Sequence, residues 1–214
     1  MAAGGAKERA RAVLALLRGK YPGVKVALEF SNPLELLIAT ILSAQCTDVQ
    51  VNRVTRELFR KYRAPGDYVS VAREELEEDI RPTGFYRNKA RSIQGCCAML
   101  LRDFGGEVPR SLAELTRLPG VARKTANVVL YGAFGISEGI AVDTHVRRVS
   151  QRLGFTGNTS PDRIERDLME LLPREDWGDY SLLVIRHGRE TCTARKPKCD
   201  GCLLNKLCPS AFKF

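Results

Sequence analysis

Apolar residues recur every three to four positions along most of the chain, and nowhere do they alternate with polar ones over a stretch long enough for a strand. The pattern predicts an all-α protein. Lys7 to Lys20 is amphipathic, and Ser31-Asn32-Pro33 starts a helix that runs from Leu34 to Ala44, apolar on nearly all sides and therefore expected to be central and buried. Thr47 with Gln50 forms a capping box ahead of Val51 to Tyr62, and one or two short helices lie between Tyr68 and Ile80, ended by Pro82 and Gly84. Arg87 to Phe104 is a long helix stopped by Gly105-Gly106, and Ser111 with Glu114 caps a short one that runs into Leu118-Pro119-Gly120. Further helices follow over Arg123 to Phe134, Thr144 to Leu153, Ser160-Pro161 to Leu172, and Tyr180 to Cys192. Only the first five or six residues read as disordered. The Gly-rich break from Gly135 to Gly139 falls near the middle and marks a domain boundary.

Charge narrows the partners. The 34 basic residues exceed the 25 acidic ones, giving a net charge of +9, which suits a polyanion such as nucleic acid but is also compatible with a solvated surface. No apolar run approaches the roughly 18 residues of a membrane span, so a cytoplasmic location is expected.

Cysteine spacing is more informative. Of seven cysteines, Cys46, Cys96 and Cys97 read as buried small hydrophobes on helices, while Cys192, Cys199, Cys202 and Cys208 follow C-x6-C-x2-C-x5-C. Four thiolates on short loops can hold a tetrahedral zinc or an iron-sulfur cube. Structural zinc usually draws on two compact C-x2-C arms, and only Cys199 with Cys202 makes one here, so the spacing favours a [4Fe-4S] cluster; two disulfides do not suit a reducing compartment.

Leu118 to Ala126 packs turn residues between two helices with almost no linker. Gly120 can take a positive φ, and the free N–H groups of Gly120, Val121 and Ala122 at the start of the next helix can donate to a phosphate without reading sequence. An ordinary interhelical turn with no ligand accounts for the same residues equally well.

This hairpin, the Val142-Asp143-Thr144-His145 segment and the cysteine tail occur in the order found in the endonuclease III family, and Leu42-Ser43-Ala44-Gln45, Thr47-Asp48 and His187-Gly188-Arg189 extend the likeness over essentially the whole chain. The sequence resembles a bacterial or archaeal endonuclease III, a DNA glycosylase with AP lyase activity. Two departures stand out: Ala122 occupies the place of a second hairpin glycine, and Arg81 to Phe85 is less aliphatic than expected, which bears on lesion preference.

The resemblance implies two helical domains, a six-helix domain over residues 26–136 carrying the helix-hairpin-helix and a cluster domain of residues 1–25 with 137–214, and a DNA-binding cleft between them. It places the nucleophile at Lys124 and a catalytic carboxylate at Asp143. A lysine attacking C1′ of deoxyribose releases the base and forms an imine that permits β-elimination, so one amine explains both base removal and nicking. Taken singly, Lys124 is also an ordinary solvated helix lysine and Asp143 an ordinary helix cap, a duty Thr144 is expected to share. His145 is placed near the DNA backbone, and His187 reads as a buried hydrogen-bonding residue. Gln45 fills the gap left by the flipped nucleotide, and Phe85 is either a second wedge or a core aromatic. Arg195, Lys196 and Lys198, between Cys192 and Cys199, are expected to meet phosphates.

The implied substrate is double-stranded DNA with damaged, expected to be oxidised, pyrimidines or abasic sites, handled by a monomer associated with the nucleoid. Two readings compete: an adenine-specific mismatch glycosylase and a non-catalytic iron-sulfur DNA-binding protein. The first lacks the hairpin lysine and carries an added C-terminal domain that is not expected in a chain running six residues past Cys208; the second has no use for Lys124 and Asp143.

Overall fold

Helix α2 (Pro33–Leu42) has no solvent side, because seven of its ten residues, Leu36 to Leu42, are buried. Each large aliphatic side chain it removes from water contributes roughly 1.5–3 kcal/mol. Its start is set locally: the Asn32 side chain accepts from the Glu35 N–H, and Pro33 takes the first position, where no N–H is needed. In the computed structural model, which describes residues 3–213, α2 is one of eleven α-helices, and the described residues contain no strand. None of the described helices is long and apolar enough to cross a membrane.

The chain divides into two compact units. One is Val26–Ile136, and the other joins the chain up to Lys25 to the chain from Ser137 onward. In the first, α2 packs against α3 (Asp48–Lys61), α6 (Tyr86–Asp103) and α8 (Arg123–Phe134). The short helices α4 (Pro65–Ser70) and α5 (Arg73–Ile80) cover α6, and α7 (Leu112–Leu115) leads into the hairpin before α8. The core of this unit gathers Leu36, Leu37, Ile38, Leu42, Ile93, Leu100, Leu118 and Leu130.

In the second unit, α11 (Trp177–Glu190) packs against α1 (Ala3–Lys20) and α9 (Thr144–Arg152), and α1 also meets α10 (Pro161–Leu171). Leu14, Leu17, Val146, Val149, Ile164, Leu168, Leu183 and Val184 form its core.

Several expectations differ from the structure in instructive ways. Residues 3–6 belong to α1, because the alanines there extend the helix, while residues 1 and 2 lie outside those described. Thr47 caps α3 by accepting from the Gln50 N–H, but the Gln50 side chain does not close a capping box: it donates to Pro82 O at 3.4 Å. Pro82 does not simply end α5; it sits in a single 3₁₀ turn, Arg81–Thr83, that continues it. Cys96 and Cys97 are buried on α6, whereas Cys46 is half-buried and lies in the turn between α2 and α3.

Helix α9, which begins at Asp143, is fastened to α11 by a hydrogen bond of 2.8 Å between the Ser150 and Tyr180 hydroxyls, both fully buried. Tyr180→Phe removes one partner and is expected to cost about 1–3 kcal/mol, whereas Ser150→Ala with Tyr180→Phe removes both and should recover much of the loss. Urea unfolding of the two single variants and the double variant checks this, with equal and additive losses arguing against a shared bond.

Candidate functional site

In the unit Val26–Ile136, the hairpin between α7 and α8 is seated on one face of α6. Gly120 takes φ +78°, and a Cβ added there would lie 2.7 Å from Ser92 Cβ; one added at Gly95 would lie 3.3 Å from Pro119 Cγ. The turn therefore needs glycine at 120 on two counts, backbone conformation and space. Ala122 supplies the first non-helical residue before α8 and is exposed, so a Cβ in place of a second glycine is accommodated.

Of the three residues expected to offer phosphate donors, Gly120 and Ala122 keep N–H groups outside the described hydrogen bonds, as do Lys124 and Thr125 in the first turn of α8. Val121 differs. Its N–H donates to Leu118 O at 3.1 Å and its side chain is buried, so it closes the turn. Lys124 occupies the second position of α8 and is exposed.

Gln45 and Phe85 come together with the hairpin: both line an open cavity of about 300 Å³ with Gly120, Ser92 and Lys89. Each takes a left-handed conformation, φ 53° and φ 50°, that residues with side chains adopt only where the surroundings enforce it. Phe85 is 62% exposed, which removes its reading as a core aromatic, and Gln45 is exposed as well. The residue missed from the sequence is Lys89. It is buried and donates to Leu42 O and Thr83 O, both at 2.8 Å, and burial lowers its pKa. The signal was present in the periodicity, since Lys89 shares the buried face of α6 with Ile93, Cys96, Cys97 and Leu100.

In the other unit, Asp143 is the N-cap of α9. One oxygen, Oδ1, accepts from both the His145 N–H (2.8 Å) and the Val146 N–H (2.7 Å), while Oδ2 carries none of the described hydrogen bonds. Thr144 does not share the cap, because it already lies inside the helix and is exposed. His145 is half-buried beside Gly188, with Nδ1 3.1 Å from the Arg148 guanidinium. Burial first of all, then the charges of Arg148 and Arg189, hold its imidazole below the usual histidine range against the opposing pull of Asp143.

Cys192, Cys199, Cys202 and Cys208 line one further cavity, shared with His187 and Leu204. Four sulfurs around one space are the donor set that a [4Fe-4S] cluster needs, one thiolate to each iron. Burial pushes the Cys202 and Cys208 thiols up, so loading metal there releases protons. His187 is buried with Nε2 3.6 Å from Cys202 Sγ, and burial lowers its pKa to about 4.

The loop between Cys192 and Cys199 is tied down by α9. Arg148 donates to Cys192 O, and Arg152 donates to Thr193 O at 2.7 Å and Ala194 O at 2.8 Å. Within the loop, Thr193 Oγ1 donates to Lys196 O and the Lys198 N–H donates to Thr191 O. Arg195, Lys196 and Lys198 all remain exposed on this fixed frame.

Residues 38–174 match the HhH-GPD superfamily base excision DNA repair protein model, and residues 192–208 match the iron-sulfur binding domain of endonuclease III. The chain is 55% identical to the endonuclease III of Synechocystis sp. over 96% of its own length and 94% of that protein's, and 51% identical to that of Bacillus subtilis over 90% and 88%. A solved structure of a trapped endonuclease III-DNA covalent intermediate with an estranged adenine superposes with a TM-score of 0.91 at 51% identity, covering 97% of each chain. The closely packed hairpin glycine, the cysteine-lined cavity and these likenesses agree, and the chain belongs to the endonuclease III family of helix-hairpin-helix base excision repair proteins.

Proposed function

We propose that the chain excises damaged pyrimidines, oxidised ones foremost, from double-stranded DNA with Lys124 as nucleophile and Asp143 as the accompanying carboxylate. DNA glycosylase and AP lyase activity, with a [4Fe-4S] cluster on Cys192, Cys199, Cys202 and Cys208, comes with membership of the family. The observation that carries the residue assignment is the exposed amine at the second position of α8, directly after a phosphate-binding hairpin, in a chain that superposes on a covalently trapped relative.

Gln45 and Phe85 enter the duplex where the damaged nucleotide turns out, filling the stack that unpairing opens. Nζ of Lys124 then forms a bond to C1′ with its lone pair and gives up a proton, and the bond from C1′ to the base breaks, its electron pair leaving with the base, which takes up a proton. The free Oδ2 of Asp143 supplies negative charge as positive charge develops on the sugar. The nitrogen lone pair then makes a second bond to C1′ as the bond from C1′ to the ring oxygen breaks, the oxygen keeping that electron pair and taking up a proton, which gives a protonated imine between C1′ and Nζ. The imine draws electrons from C2′, a proton leaves C2′, and the bond from C3′ to its oxygen breaks, so the 3′ phosphate departs. Water on C1′ finally releases Lys124.

The cluster supplies no step in this chemistry. Held by the four cysteines, a cluster would fix the ends of a loop whose three exposed cations meet DNA phosphates, so that the main chain carrying them is ordered before binding. Phosphate contacts also come from the N–H groups of Gly120 and Ala122, and His145 lies by the backbone of the DNA.

Lys124→Gln should abolish strand cleavage and borohydride trapping while duplex binding persists; trapping retained in that variant defeats the assignment. Asn caps helices as well as Asp does, so Asp143→Asn keeps α9 and removes only the charge. Base release should then slow by roughly 100-fold or more in single-turnover assays, with the melting temperature unchanged.

The purified protein should be yellow-brown and carry about four irons. One zinc in a colourless protein would contradict the cluster.

Alanine in place of Arg195, Lys196 or Lys198 should weaken binding to damaged and undamaged duplex alike and lower the salt slope by about one unit each. The single-turnover rate at saturating enzyme should hold. Unaltered affinity and slope in all three variants would mean that the loop only offsets the charge of the cluster.

A further inference from the structure

Lysine is among the side chains least often buried, and Lys89 is 5% exposed on the apolar face of α6. It makes no ion pair among the described residues; its two hydrogen bonds go to main-chain carbonyls from separate parts of the chain. Leu42 ends α2, so its carbonyl is one of the last four that a helix cannot satisfy internally. Thr83 ends the 3₁₀ turn after α5. Three residues beyond Leu42 comes Gln45, and two residues beyond Thr83 comes Phe85.

These two are the exposed left-handed residues proposed above as wedges, and they line the same cavity as Lys89. We infer that Lys89 is the positioning residue for both wedges, one ammonium group fixing the roots of the Gln45 and Phe85 segments at a set spacing before DNA arrives. The inference rests on the wedge reading of those residues.

The geometry gives the lysine a task that a packed apolar side chain does not perform. Both left-handed residues need surroundings that hold them, and neither segment belongs to a helix at that point. Two N–H donors on one atom, each 2.8 Å from its carbonyl, leave the segments little freedom to move apart. Gln50 adds a weaker tie between the same regions through Pro82 O at 3.4 Å. Lys89 itself acts behind the wedges, through the main chain, and takes no part in the chemistry at C1′.

The test uses the cluster-loaded protein and two substrates. Excision of an oxidised thymine from duplex DNA requires the wedges, whereas strand cleavage at a preformed abasic site in single-stranded DNA has no stack to open. Lys89→Met keeps the length and loses the donors. It should lower single-turnover excision from the duplex by about 100-fold, as misplacement of about 1 Å can do, and leave cleavage of the single strand unchanged. Fluorescence of 2-aminopurine beside the lesion should show a matching loss of nucleotide flipping, and Lys89→Arg, which restores two donors, should recover part of it. The double variant Gln45→Ala, Phe85→Ala serves as the reference. If that variant excises from duplex at the native rate, the wedge reading falls and this inference with it. If it shows the split between substrates and Lys89→Met does not, the positioning role alone is wrong. Equal loss on both substrates in Lys89→Met reduces the lysine to a fold-stabilising residue and overturns the proposal.

Discussion

The absence of a side chain at Gly120 is the constraint on which the site in the unit Val26–Ile136 depends. A Cβ there would stand 2.7 Å from Ser92 Cβ, and a second close approach at Gly95 seats Pro119 on the same face of α6. Contact this tight fixes the hairpin, and the hairpin fixes the start of α8, where Lys124 projects. Further along α8, Gly132 lets the helix come down on Leu36 and Val26, since a Cβ at that position would meet Leu36 Cδ2 at 2.8 Å. The helix bearing Lys124, proposed above as the nucleophile, is thus held by close approach at both ends. Lys124 itself is left exposed, with no need to pay for its own placement by packing.

The same face of α6 organises more than the hairpin. Ser92 and Lys89 are one helical turn apart; Ser92 meets Gly120 and Lys89 holds the segments before Gln45 and Phe85. One helix therefore serves both the hairpin turn and the two residues proposed to enter the duplex. Such rigidity matters for a reaction that begins by unstacking a base, because the cost of ordering the wedges is met during folding rather than during binding. The loop between Cys192 and Cys199 follows the same principle with different means: Arg148 and Arg152 hold the main chain that carries the exposed cations.

Much of this was legible in the amino-acid order. The period of apolar residues marks every long helix, because burial on one face is what most helices need for stability. Asn32-Pro33 starts α2 through local chemistry that no tertiary contact alters. That Cys192, Cys199, Cys202 and Cys208 line one cavity could be read from their spacing, since short loops bring neighbouring thiols together. Other features depend on contacts distant in sequence. Thr47 looks like half of a capping box, but Pro82 offers the Gln50 amide a different acceptor. Val121 looks like a free donor until the turn closes on Leu118 O. Lys89 breaks the apolar period of α6, and only the folded positions of Leu42 and Thr83 show why. The left-handed conformation of Phe85 is likewise invisible in a sequence where Gly84 is the expected bearer of positive φ; both residues adopt it.

Asp143 shows how a structural and a chemical reading of one residue can both hold. Its position before α9 is what a helix cap requires, and Oδ1 satisfies two N–H groups that the helix leaves open. A carboxylate has two oxygens, however, and the bonds to His145 and Val146 use only one. The cap fixes the plane of the carboxylate against the end of α9, and α9 is fixed in turn by the buried hydrogen bond between its own Ser150 and Tyr180 of α11. Oδ2 is therefore presented in one orientation with its lone pairs available, which is what stabilising charge on a reacting sugar demands of an anion: it must already stand in place when the charge appears. The capping bonds also aim the carboxylate, so the cap and the catalytic role proposed for Asp143 do not exclude one another.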